Sequence, residues 1–211
     1  MQPTPLAAIG KRRGSSADVG RTTGAQNGER HRKGTDGVSW IWWAPLGTAA
    51  LHIVEEFVYP GGFAAWDREY RPSIRSSITP RLHLVVNALL LVACAYVGIT
   101  GMPGAAIVVG GLRLRSALPA SLSVPGWLVL TALLFSNAVF HVLGTYQTKR
   151  VSPGVRTGVL LYVPLSLFGY WHFMHTGQVS AVVAGVSALL GGSYHLWASM
   201  AHRWRSRRRE V

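Results

Sequence analysis

An imidazole and two carboxylates stand within five consecutive residues, His52-Ile53-Val54-Glu55-Glu56, inside a long apolar segment. On a helix His52 is i,i+3 from Glu55 and i,i+4 from Glu56, so the three side chains are expected to project from one side. Thr48 precedes them on that face and Tyr59 continues it. Glu55 and Glu56 are the only acidic residues in any long apolar segment, and no Asp or Glu occurs from Tyr70 through Arg209. An acidic side chain in or near hydrocarbon is costly and takes a partner, so this stripe is expected to face a bundle interior. Two adjacent carboxylates in low dielectric do not both ionise readily. One keeps its proton while the other acts as a base, which equips the pair for proton transfer. The plainer alternative is an interfacial pair, because Glu56 lies only four residues before Pro60, about 6 Å of helix rise. Arg68, Arg71 or Arg75 would then cap it.

A second polar set follows in another apolar segment. Asn137 and His141 are spaced i,i+4, with Thr145 one turn on. They are candidate partners for the glutamates, and Asn87 is a further hydrogen-bonding candidate. His52, Glu55, Glu56, Asn137 and His141 are therefore the candidate catalytic residues. If they form one site, Glu56 and His141 must lie within about 12 Å, the reach of one metal ion or one water between them. His52, Glu56 and His141 also supply the nitrogen and oxygen donors that a divalent metal such as zinc or iron accepts. His172, His175 and His195 read as packing or interfacial residues, and His83 and His202 as interfacial ones at segment ends.

The elements that must position these groups are apolar and long. The chain has 211 residues, 49% hydrophobic and 14% charged, against about 25% charged in an ordinary soluble domain. Five segments approach the ~20 residues that span ~30 Å of hydrocarbon: Trp40 to Tyr59, Leu82 to Gly101, Pro125 to Tyr146, Val155 to Phe173 and Val179 to Met200. Strands are not expected to span, because an open sheet leaves edges unsatisfied in lipid. The expected fold is all-α, a polytopic bundle of about five transmembrane helices, multi-pass in a bacterial plasma membrane. Its bundle domain covers residues 40–202, between a disordered basic tail at 1–39 and a basic C-terminal tail at 203–211. The short apolar stretch Ala105 to Leu112 is expected to be a loop, an interfacial turn or a helix extension. Pro45 and Pro164 should kink their helices. Ala184, Ala188 and Gly192, with Ala181 and Gly185 beside them, form a small-residue stripe suited to close helix packing.

The net charge of +13 sits in the tails and between the apolar segments. Basic residues there fit membrane topology and anionic lipid headgroups, and no nucleic-acid motif accompanies them. Placing the C-terminus in the cytoplasm puts residues 61–81 and 148–154 there too. Cys94 has no partner cysteine within the chain. No phosphate-binding glycine loop and no haem-attachment cysteine pair is present.

His52-Ile-Val-Glu55-Glu56 resembles the signature of the HXXEE family of small bacterial integral membrane proteins. Phe63 after Pro60-Gly61-Gly62, Asn137-Ala-Val-Phe-His141, and Ser152-Pro153-Gly154 before a helix containing Pro164 resemble its further motifs, across about residues 40–200. Val151 departs from the aromatic residue often found before Ser-Pro-Gly. The resemblance implies a membrane helix bundle whose polar site joins the first helix to the Asn/His helix. It carries no established activity. Four functions stay open: an acid–base enzyme on a lipophilic small molecule, a metal site, a proton-coupled transporter, and a scaffold in which the cluster only fixes helix packing. Membrane lipids are the expected surroundings, and no substrate is legible.

Overall fold

The structure, a computed structural model, describes residues 40–58, 61–102, 106–109, 112–115 and 120–207. The expected tail at 1–39 and the position of Tyr59 lie outside them. Helix α1 spans Ala44–Val58 after a 3-10 turn at 40–42. Pro45 sits in its first turn, where no backbone donor is needed, so it starts the helix rather than kinking it. Helix α2, Gly62–Tyr70, and a 3-10 helix, Pro72–Ser77, occupy the connection that follows. Helix α3, Pro80–Gly101, opens with Pro80 and is capped by Thr79, whose hydroxyl accepts the Leu82 N–H at 3.1 Å.

Between α3 and the next helix lies a short antiparallel hairpin, β1 (Ala106–Val109) and β2 (Leu112–Arg115), with Ala106 opposite Arg115. This corrects the loop or helix reading of 105–112. The strand signal was present: Ile-Val-Val, then Gly-Gly, then Leu-Arg-Leu-Arg alternation. Outside this hairpin the described chain is helical apart from short connections.

Helix α4, Ala120–Thr148, is the hub, packed by α3, by the later helices and most extensively by α7. A helical run from 155 to 175 follows, formed by α5 (Val155–Thr157), a π turn (Gly158–Tyr162) and α6 (Val163–His175). Pro164 has no N–H to offer the Leu160 carbonyl, and the chain widens into the π form just before it, with Val163 N–H on Gly158 O. Helix α7, Ala181–Gly192, is capped by Ser180, and α8, Tyr194–Arg207, continues after a turn at Ser193. The last arginines described, Arg203, Arg205 and Arg207, therefore lie on helix.

The face of α7 that meets α4 is Ala184, Ser187 and Gly191, all buried. A Cβ on Gly191 would stand 2.1 Å from the Val129 carbonyl oxygen, whereas Gly185 and Gly192 have nothing within 4 Å. The expected stripe of Ala184, Ala188 and Gly192 is thus corrected by one helix face. Elsewhere Ala49, Cys94 and Leu130 join α1, α3 and α4. Trp127 is fully buried, donates to the Ile41 carbonyl at 2.9 Å, and lies edge-on to Phe173.

Among the described residues three helical stretches are long and apolar enough to cross a membrane: Pro80–Gly101, Leu122–Thr148 and Ala181–Arg205, the last running through α7 and α8. Only 17% of the most apolar window of the first and third is buried, so their hydrophobic surface points outward. Water would penalise that arrangement and hydrocarbon would not. Of the other two expected crossings, α1 has 15 residues and the 155–175 run is divided by its π turn.

Candidate functional site

Successive residues of an α-helix are turned by about 100° from one another, so Glu55 and Glu56 cannot both face inward. Glu56 does, and is 4% exposed. Its Oε1 lies 3.4 Å from His52 Nε2 and 3.4 Å from His141 Nε2. Its Oε2 accepts from Asn87 Nδ2 at 3.0 Å and lies 3.4 Å from His83 Nε2. Four helical positions on three helices therefore converge on one buried carboxylate. The alternative of an arginine-capped interfacial pair does not hold for it: Arg71 pairs with Asp67, and Arg68 donates to the Ile78 carbonyl.

Glu55 is half-buried and turned toward the start of the 155–175 run. It accepts the Thr157 hydroxyl at 2.6 Å and backbone N–H groups of Thr157 and Arg156 at 2.8 and 3.3 Å. Acceptance from a helix N-terminus suits a carboxylate. The two glutamates thus belong to separate environments, and a shared carboxylate pair is not what the fold builds.

Thr157 connects those environments. Its Oγ1 is also 2.9 Å from His52 Nδ1. A hydroxyl has one proton, and the carboxylate of Glu55 can only accept it. His52 Nδ1 must then carry the hydrogen and donate to Thr157, which leaves Nε2 with a lone pair when the ring is neutral. His141 is fully buried, and its Nδ1 lies 2.8 Å from Ser152 Oγ. Asn137 Nδ2 lies 3.0 Å from His52 Nε2 and 3.4 Å from His141 Nε2. A half-turn of that amide would present Oδ1 to the same point.

The turn Ser152-Pro153-Gly154 closes over both imidazoles. Gly154 has φ +92, and a Cβ there would come within 2.7 Å of His52 Cε1 and 3.1 Å of His141 Cε1. Thr145 holds the turn by accepting the Ser152 N–H at 2.9 Å. Phe63 of α2 covers the other side, stacked on His83 at 4.4 Å and edge-on to His141 at 5.1 Å. Tyr162 of the π turn lies over His52 at 4.5 Å.

Of the five sequence candidates, His52, Glu56, Asn137 and His141 meet, and Glu55 stands one Thr hydroxyl away. Thr48 is not among them; it donates to its own helix at Pro45 O. His83, read as interfacial, belongs to the cluster instead, as do Asn87, Ser152, Thr157 and Gly154. Among these, Asn87 was legible as a lone amide within an apolar segment, and the Ser-Pro-Gly turn carried a signal of its own. Single serines, threonines and a histidine at a helix start carry none.

His52, Glu56 and His141 each offer a donor atom within 4.8 Å of the others, and all three are buried. Two ligands on a tetrahedral ion at 2.0–2.1 Å stand about 3.4 Å apart. The spacing of Glu56 Oε1 from each imidazole nitrogen matches that edge. A cavity of about 400 Å³ lies beside the cluster, between α3, α4 and α8, and Glu56, His83, Asn87 and Asn137 form its polar end.

A family model described as "Protein of unknown function with HXXEE motif" matches residues 42–169. Comparison with curated proteins and with solved structures gives no match.

Proposed function

Since this chain belongs to the HXXEE family, to which no function is assigned, we propose its activity from the site: acid–base chemistry on a lipophilic substrate by a multi-pass membrane enzyme, with a divalent metal held by His52, Glu56 and His141. One observation carries the reading. With a neutral His52 ring donating through Nδ1 to Thr157, its Nε2 and Glu56 Oε1 are both acceptors, 3.4 Å apart in a buried site, and His141 Nε2 meets the same oxygen. Converging acceptors repel unless a cation or proton lies between them. The outer nitrogens of both rings are held by hydroxyls, as in metal sites whose histidines are oriented from behind.

An ion there would supply Lewis-acid polarisation of a substrate oxygen or a bound water. Proton transfer falls to the groups that border the cavity. With Glu56 Oε2 accepting from His83 Nε2, the other ring nitrogen of His83 is left as an acceptor. Asn87 fixes the carboxylate, and Phe63 fixes the ring of His83 by stacking. The membrane proposed is a bacterial plasma membrane crossed five times, with α1 and the 155–175 run as the two crossings beyond the three long helices.

Elemental analysis of protein purified in detergent without chelators tests the reading. The expected result is one equivalent of a transition metal in the wild type, lost in His52→Ala, His141→Ala and Glu56→Gln. A wild type that stays metal-free after incubation with zinc and with ferrous iron would defeat the metal assignment.

A further inference from the structure

We propose that the cavity between α3, α4 and α8 binds an uncharged single-chain lipophile bearing one hydrogen-bonding oxygen, an alcohol or carbonyl compound rather than an acid or a phospholipid. The proposal deepens the lipophilic-substrate part of the reading above and does not depend on the metal.

The walls of the cavity are apolar, with Leu90, Leu130 and Leu133 inside. Leu89, at the rim, is 64% exposed on the same outer surface that carries the apolar faces of the long helices. A volume of about 400 Å³ lies in the range of small-molecule pockets. It suits one chain and is too small for a two-chain phospholipid.

Charge decides the class of head group. Arg71 is the only lysine or arginine lining the cavity among the described residues. Its guanidinium is held by both oxygens of the buried Asp67 carboxylate and lies over the Phe140 ring at 5.0 Å. Among the described residues no unpaired lysine or arginine faces the cavity to receive a carboxylate or phosphate, and burying an unpaired anion is strongly unfavourable. The Glu56 oxygen on the side of His83 and Asn87, which line the cavity with it, already accepts from Asn87 at 3.0 Å and lies 3.4 Å from His83, so a cationic head finds no open carboxylate oxygen there.

His195 supplies the independent sign of a ligand. It lines the cavity, its ring is stacked on Phe140 at 4.6 Å and 4°, and its Nε2 is buried with no hydrogen-bond partner. A buried ring nitrogen held rigid without a partner is unusual in a native fold. A half-turn of the ring about Cβ–Cγ keeps its plane and the stack on Phe140, and it turns the opposite edge of the imidazole toward the cavity, where a neutral ligand oxygen would satisfy a ring nitrogen as donor or acceptor according to the tautomer.

Photolabelling of the full chain in detergent with a diazirine analogue of dodecanol tests this, with the labelled peptides mapped by mass spectrometry. Saturable labelling of α3, α4 and α8 is expected, competed by dodecanol and not by laurate or phosphatidylglycerol. Labelling should fall about tenfold in His195→Phe, the scale of one hydrogen bond in an apolar site, and in Ala93→Trp, which fills the rim. Non-saturable labelling, equal competition by laurate, or labelling unchanged in His195→Phe would overturn the proposal. His52→Ala separates the two readings: saturable labelling there should persist at wild-type level while any bound metal is lost.

Discussion

At His52 the tautomer is set from outside the ring. Glu55 takes the Thr157 proton, Thr157 can then only accept from Nδ1, and Nε2 is left facing Glu56 and His141. Glu55 is thus a positioning residue, acting through Thr157, although it stands next to Glu56 in sequence. Thr157→Val should lower metal affinity by about 10–100-fold, the usual effect of removing a group that orients a metal ligand. Glu55→Gln, which keeps one acceptor oxygen, should lower it less. Competition against a chromophoric chelator measures both, and wild-type affinity in Thr157→Val would refute the orientation argument. His83→Phe tests the other side of Glu56. The ring stack on Phe63 is retained while the nitrogen is lost, so metal should stay bound and turnover of a lipophilic substrate should disappear.

At the scale of elements, glycines let a turn and a helix approach what they serve. Gly154 combines a left-handed backbone with an approach that leaves no room for a Cβ against the two imidazoles. Gly154→Ala should cost at least about 1–2 kcal/mol from backbone conformation alone. It should also weaken metal binding, because the displaced atoms are those of the proposed ligands His52 and His141. Helix α7 offers an internal control. Gly191→Ala should destabilise its packing on α4 by about 1–3 kcal/mol, the range for inserting a methyl group where none fits. Gly192→Ala, with open space beside it, should be neutral or slightly stabilising. Unfolding of each variant in mixed detergent micelles, followed by circular dichroism, reads the difference. Comparable losses at 191 and 192 would mean that α7 packs on another face.

Over the whole molecule the site gathers at one end of the bundle. His52 and Glu56 lie in the last two turns of α1, His83 and Asn87 in the first two turns of α3, and His141 in the last two turns of α4. Ser152 to Thr157 make the next turn, and His202 near the end of α8 bonds Ser77 at 2.7 Å. If the chain crosses five times, as proposed, these places all fall on one side of the membrane, the side of residues 61–81, 148–154 and the C-terminus. If that side is cytoplasmic, single cysteines placed at Arg75 and Arg150 in a Cys94→Ala background should resist a membrane-impermeant maleimide in intact cells. One at Gln178 should react. Reaction at Arg75 and not at Gln178 would invert the orientation. The sequence by itself determined the helical class, the outward apolar surface and the choice of His52, Glu56, Asn137 and His141, because hydropathy and i,i+4 spacing are local properties of a chain. Only the tertiary structure decided that Glu55 turns away to Thr157, that His83 joins Glu56, and that α7 packs through Gly191. Those contacts join residues up to 105 positions apart, as between His52 and Thr157, and their direction depends on helix rotation and on the turns at Gly154 and Gly158. No local pattern encodes that rotation.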